Sequence, residues 1–271
     1  MQRATGRYTD TIAPQDISAE LLPVIEELGL RDNCRQLAEQ GWTVLHGVRD
    51  SNFNASLRQR ILNLSRGAGA NMLLHKDPVF ATAVLSPQLL ALAEFSVGRG
   101  FLLSQVAASV RTQNSPAIGL HADHNWLPAP FPAHNMLMTA CWACDEYTQE
   151  GGATLVIPGS AQHRRHPDNE ECKSLKGAIP IECPAGSIAV WDGNLWHSNY
   201  PRSLEGERVV CHITYSRLMM RPVENYQAHS QRLVAEHGAV MSQLLGQDDF
   251  LDSPNGVDYS KLTQTFNNAK R

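Results

Sequence analysis

The sequence predicts a mainly β fold, a sandwich or barrel, with helices before and after it. Two observations carry that prediction. From residue 101 to about 220, short apolar runs alternate with clusters of Gly, Pro, Asn and Asp, the rhythm of strands joined by turns. Before residue 100, apolar residues recur three and four apart, as one face of an amphipathic helix requires. The chain has 271 residues, and β barrels and sandwiches of this length often fold as one unit. It shows no internal repeat, low-complexity tract or linker composition. A single domain over 1–271 is therefore expected, with a helix-rich N-terminal region over 1–100, a β core over 101–220 and a C-terminal helix and tail over 221–271.

The elements follow in order. Residues 17–30 carry one amphipathic stripe and read as a helix. Asn33 is the expected N-cap of a second helix, which stops near Gly41. Residues 42–48 read as a strand. Residues 51–67 return to helix, with Phe53, Leu57, Ile61 and Leu64 at spacings of four, four and three. Residues 86–97 form a further helix, Pro87 being tolerated in its first turn. Strands are then expected over 101–110, 136–144, 153–158, 179–183, 187–192 and 209–216. After Pro222 a helix resumes to about Leu245, and the polar stretch from Gly246 is expected to pack loosely.

Composition narrows the function. The chain is 42% hydrophobic and 18% charged, with a formal net charge of −4, so it offers no basic excess to pair with nucleic-acid phosphates or an anionic membrane. No apolar run approaches the roughly 20 residues of a membrane span. The residues through Asp10 lack the apolar core of a secretion signal, so the expected location is cytoplasmic. The six cysteines are then expected to be reduced. Cys141 and Cys144 have a zinc-like spacing, but they lie in a run that reads as a strand. Positions three apart on a strand leave opposite faces, so the pair cannot grip one ion.

The chemistry begins at His121 and Asp123. They are two apart, so on an extended segment both side chains leave one face. A third ligand must come from elsewhere, leaving coordination positions open. Two histidines and one carboxylate on one face of an octahedron form the non-heme iron(II) oxygenase arrangement. A downstream segment reads as turn, strand, turn and then His197 at the start of another strand. Eleven residues later Arg208 opens an apolar run. Its planar fork can hold a distal carboxylate through two parallel hydrogen bonds. A dicarboxylate that chelates the metal at one end and meets Arg208 at the other fits this layout.

The pattern of His121 and Asp123, the Gly151–Ser160 stretch with its Gly-Gly-Ala-Thr and Pro-Gly-Ser elements, Trp196 and His197, and Arg208 resembles the phytanoyl-CoA dioxygenase family. The resemblance covers about 104–216 and extends weakly to the helix-to-strand junction at 37–45. It implies a double-stranded β-helix (jelly-roll, cupin-like) core with flanking helices. It also implies iron(II), 2-oxoglutarate and dioxygen as reagents, with succinate and carbon dioxide as by-products. His121, Asp123 and His197 match the iron ligands, and no catalytic residue is expected beyond them. Arg208 matches the anchor of the distal co-substrate carboxylate. Thr154, Trp142 and Gln105 match positions that line the co-substrate pocket. Two positions depart from some relatives: Ala122 stands where they carry Gln, and Asn199 where they carry Ser. Asp123 itself favours hydroxylation or another oxidation, because halogenating relatives replace that carboxylate with a small residue.

The substrate is expected to be a small to medium, largely apolar metabolite. The segment 125–132 follows the ligand pair directly, and its prolines would hold Trp126, Leu127 and Phe131 as a stiff apolar wall near the metal. The region of Met219 and Met220 would help to cover the barrel mouth. No nucleic-acid or membrane partner is expected, and nothing in the sequence sets the oligomeric state. Other histidines read as surface or packing residues: His46, His75, His134, His229 and His237 lack a partner at ligand spacing. His124 points away from the ligand face, and the polar run 163–166 reads as a solvated loop. Arg202 is the alternative anchor should Arg208 not serve. The rival functions are a non-catalytic metal-binding jelly roll and a zinc-dependent hydrolase, whose metal also takes three protein ligands. Neither needs a cation placed for a dicarboxylate.

Overall fold

The computed structural model describes residues 16–65 and 69–247. The expectations for the first ten residues, for 66–67 of the third helix and for the tail beyond 247 lie outside them.

The helical region departs from the sequence reading at its start. The stripe over 17–30 forms only a short α1, Leu22–Glu27, with Pro23 in its first turn. Gly29, at φ +67°, turns the chain into α2, Arg31–Gln40. Asn33 does not cap α2. It lies within the helix, and its side-chain amide donates to Thr43 Oγ1 (3.0 Å) and the Val44 carbonyl (2.9 Å) of β1, Trp42–Leu45. Gly41 does end α2, with φ +82°. α3, Ser51–Leu64, is capped by Asp50, whose carboxylate accepts the Phe53 amide at 2.8 Å. The two-residue β2, Gly69–Ala70, and α4, Pro78–Val84, were not expected. Asp77 caps α4 by accepting the Val79 amide, and its proline occupies the first turn. α5 is Pro87–Val97.

The core strands are β3 Leu102–Arg111, β4 Leu137–Ala143, β5 Thr154–Val156, β6 Ile179–Pro180, β7 Ile188–Asp192, β8 His197–Asn199 and β9 Arg208–Ser216. A small helix, α6 Asn169–Ser174, precedes β6, and α7 Gln227–His237 and α8 Ala239–Leu244 follow β9. The strands form two antiparallel sheets. The larger runs β1-β7-β4-β9-β3-β2 and the smaller β6-β5-β8. This is a jelly-roll layout, mostly sheet with flanking helices. Among the described residues no single helix is long and apolar enough to cross a membrane.

Alternation along the large sheet decides what each side chain does. Met138, Ala140 and Trp142 of β4 and Val209, Cys211, Ile213 and Tyr215 of β9 face outward, into one core with Leu57, Ile61, Phe80, Leu89 and Leu92 of the helices. Cys141 and Ala143 of β4, Ala189 and Trp191 of β7 and Val210 of β9 face inward. There they meet Ala153, Val156 and Ile181 from the side of the small sheet. Both faces are buried, so these strands read as continuous apolar runs. Cys141 and Cys144 fall in different cores, and all six cysteines are free thiols.

The same alternation places Trp142 away from the interior. It is fully buried on the helix side, its ring 5.2 Å from that of Phe53 on α3. Trp142→Ala is expected to cost roughly 3–5 kcal/mol, the usual range for emptying a large aromatic site. Urea unfolding measures this, and metal affinity of the folded variant should stay unchanged.

Candidate metal centre

The segment between β3 and β4 carries His121 and Asp123 across the open edge of the small sheet. His121 and His197 form an isolated antiparallel bridge: the His121 amide donates to the His197 carbonyl at 3.0 Å, and the His197 amide returns the bond at 2.8 Å. Two residues on, the Asp123 amide donates to the Gly193 carbonyl at 2.9 Å. Gly193 cannot carry a side chain, since a Cβ would sit 2.7 Å from the His124 ring and 2.8 Å from the Leu137 carbonyl oxygen. Three backbone bonds therefore fix three side chains on one face.

His121, Asp123 and His197 each offer a ligand atom, all within 4.8 Å of one another. Asp123 Oδ1 lies 3.4 Å from His197 Nε2 and 3.8 Å from His121 Nε2. Both imidazoles are held in one tautomer. His121 Nδ1 lies 2.8 Å from the Gly119 carbonyl and His197 Nδ1 3.0 Å from that of Leu195. A carbonyl only accepts, so each Nδ1 carries the proton and each Nε2 keeps its lone pair. The other oxygen of Asp123 accepts from Thr139 Oγ1 (3.0 Å) and Trp191 Nε1 (3.2 Å), leaving Oδ1 for an ion.

Charge in the site suits a cation. Burial alone would raise the Asp123 carboxyl, but His197, His121 and the Thr139 and Trp191 donors outweigh it and hold it below the ordinary carboxylate range. Burial, partly offset by Asp123, holds His197 below the usual imidazole value and so favours the neutral, ligating form. Two imidazoles and one carboxylate on one face suit iron(II) and leave the opposite positions open.

A cavity of about 500 Å³ opens on this face. Gln105, Thr154 and Arg208 line it, as does Trp126, which is 70% exposed at the rim. Arg208 is buried, its Nη1 donating to the Gly152 carbonyl at 2.9 Å and its guanidinium 5.0 Å from the Tyr147 ring centroid. Its Nε has no partner. A buried, under-satisfied guanidinium beside the Thr154 and Tyr147 hydroxyls, themselves 2.8 Å apart, fits a carboxylate.

Other expected residues go elsewhere. Trp142 is outside the barrel. Phe131 does not line the cavity; it is fully buried, edge-on to His124 (5.4 Å) and His166 (5.1 Å). Arg202 stands outside the cavity lining; its Nη1 and Nη2 donate to the carbonyls of Gly151 and Glu205, and its Nε, like that of Arg208, has no partner. Met219 is 80% exposed and stands apart from the lining. The run 163–166 is not simply solvated: His163 stacks on Trp196 at 4.7 Å and Arg165 lies 4.9 Å from that ring while pairing with Glu171. His124 is buried behind Asp123, and burial pushes it down to about 4.

Sequence reasoning missed Thr139, Trp191, Arg111 and His212, all of which line the cavity. Period-two alternation could have found His212, because an inward Arg208 on β9 sends positions 210, 212 and 214 inward as well. Burial, reinforced by Arg208, pushes His212 down to about 4, so it faces the cavity uncharged at neutral pH.

Comparison with known proteins follows the same lines. The family model for phytanoyl-CoA dioxygenase matches residues 25–209. An uncharacterized protein of Mycobacterium tuberculosis is 26% identical over 198 residues, covering 70% of each chain. The dioxygenase af480 of Aspergillus fumigatus is 32% identical over 154 residues, 56% of this chain and 49% of that one. Among solved structures, HygX from Streptomyces hygroscopicus, with nickel and 2-oxoglutarate bound, superposes with a TM-score of 0.60 at 16% identity. That match covers 76% of this chain and 89% of HygX, and at this identity it speaks for the fold.

The hydrogen bonds to Asp123 yield a prediction. Thr139→Val and Trp191→Phe each remove one, and each should weaken metal binding roughly 10–100-fold, as loss of a group supporting a ligand usually does. Metal titration followed by calorimetry reads the change, and unaltered affinity in both variants would count against this role.

Proposed function

This chain belongs to the phytanoyl-CoA dioxygenase family, and from that premise we propose an iron(II)- and 2-oxoglutarate-dependent dioxygenase that hydroxylates a small to medium metabolite. The observation that carries the reading is the pairing of two features across one cavity. One wall holds two Nδ1-protonated histidines and a carboxylate with converging free donors. Another holds the buried Arg208 with an unpartnered Nε. A metal-binding scaffold or a zinc hydrolase would have no use for the second.

His121, Asp123 and His197 would hold the iron, and Arg208 with Thr154 would hold the distal carboxylate of 2-oxoglutarate. Bound there with dioxygen, the two supply the oxidising power, releasing succinate and carbon dioxide while oxygen is inserted into a C–H bond. The protein's own contribution is placement. Thr139 and Trp191 keep Asp123 Oδ1 turned toward the ion. Uncharged His212, 3.2 Å from Ser109 Oγ, gives the floor a polar wall without further positive charge.

Substrate would enter past Ile118, Trp126 and Val223, exposed apolar residues that belong to the cavity lining. They support a substrate with an apolar face directed at the metal. HygX, which shares the fold, has been solved with hygromycin B bound, so the layout accommodates a bound small molecule.

Adding iron(II) and then 2-oxoglutarate without oxygen should produce a weak visible charge-transfer band, and a protein that binds both without one would contradict the chelate. Arg208→Ala should weaken 2-oxoglutarate binding by about 2–5 kcal/mol, as truncation of a buried charge partner does. Arg208→Lys should recover only some of this, because an ammonium cannot reproduce the planar fork.

A further inference from the structure

A second cavity, of about 160 Å³, shares no lining residue with the first. It opens against the turn from Asp192 to Asn194, whose middle residue is Gly193, the acceptor for the Asp123 amide. Three of its lining side chains keep polar atoms without partners among the described residues. Asp192 ends β7, and one of its oxygens accepts the Asn194 amide at 2.6 Å. No cationic side chain offsets its charge, and burial pushes the carboxyl up to about 7. Asn194 is 3% exposed; its Nδ2 reaches the Pro132 carbonyl at 3.5 Å, but its Oδ1 has no partner. A buried acceptor of that kind is rare without a ligand or water to meet it. Arg164 donates from Nε to the Phe131 carbonyl, and the Phe131 amide returns a bond to the Arg164 carbonyl at 2.7 Å. Its terminal nitrogens meet no carboxylate, so a cation and an anion line one cavity without pairing. Leu37 of α2, Phe95 of α5 and Ala161 supply apolar wall between them.

We propose that this second cavity binds a small zwitterion, a free α-amino acid, with its ammonium on Asp192 and Asn194 Oδ1 and its carboxylate on Arg164. An ammonium only donates, which matches two groups that only accept, and the guanidinium fork matches a carboxylate. The cavity volume and the apolar wall restrict the ligand to a short side chain. The site stands apart from the metal cavity, so the amino acid is an effector and not the molecule oxidised. Asp192 and Asn194 flank Gly193, and a ligand bridging them steadies the turn that holds Asp123. The inference does not depend on the co-substrate reading above.

The test follows thermal unfolding of the full chain with glycine, L-alanine or L-serine, and with methylammonium or acetate, each of which presents one charge alone. At ten times its dissociation constant, a bound amino acid should raise Tm by roughly 3–5 °C. Methylammonium and acetate should each bind roughly tenfold or more weakly than the best amino acid, since each forgoes a charged contact. Asp192→Asn keeps an acceptor for the Asn194 amide and Arg164→Gln keeps a neutral donor. Each should weaken amino-acid binding by roughly tenfold or more. Three outcomes would overturn the proposal. One is no shift with any of the three amino acids. Another is a shift with methylammonium equal to that with alanine, which leaves Arg164 no part. The third is amino-acid binding that survives both substitutions, which places it elsewhere. The comparison of ligands on the wild-type chain decides the matter even if a variant fails to fold.

Discussion

The backbone bridge between His121 and His197 is the constraint that holds the site together. The segment between β3 and β4 is long and carries little regular structure, so nothing local to it fixes the direction of its side chains. Two reciprocal amide–carbonyl bonds, at 3.0 and 2.8 Å, pin it to the first residue of β8. A third bond, from Asp123 to Gly193, sets its pleat and closes around a position where only glycine fits. Donors from distant stretches of the chain then share one face because strand geometry requires it. Carbonyls of Gly119 and Leu195 finish the work by choosing the tautomer.

Electrostatics in the cavity follow from what the sheets leave unpaired. The metal end has a carboxylate held ionised by its neighbours, and the far end has guanidiniums with no acid to meet them. Between them His212 is kept neutral by burial and by Arg208. A divalent cation at one end and a dianionic keto acid spanning to the other would neutralise both. Without ligands, the protein carries the cost of buried, under-satisfied charge, as sites built for charged ligands commonly do.

Much of the fold was legible because its periods are strong. The helices at 51–64 and 87–97 and the principal strands lie where spacing and turn residues put them, and only their ends moved. The failures have local causes. Pro23 and Gly29 divided a stripe that spacing alone read as one helix, and α4 is too short to display a period. Asn33 looked like a cap, but its amide is used across elements, on Thr43 and Val44.

At the site, the order of residues along the chain was enough for whatever depends on chemistry and short spacing. It set a histidine and a carboxylate two apart, a histidine opening a later strand, an arginine eleven further on, and the motif of a known family. It could not decide which face of each strand looks inward, because both faces of the large sheet are buried and their residues are alike in hydropathy. Packing decided that. It turned Trp142 toward the helices and its neighbours Thr139 and Cys141 toward the interior, buried Phe131 away from the cavity it was expected to wall, and left Trp126 at the rim. It also set Arg111 beside Arg208, a pairing fixed by the register of strands almost 100 residues apart in sequence. Such a relation arises when backbones hydrogen-bond across the sheet, and no local pattern along the chain encodes it.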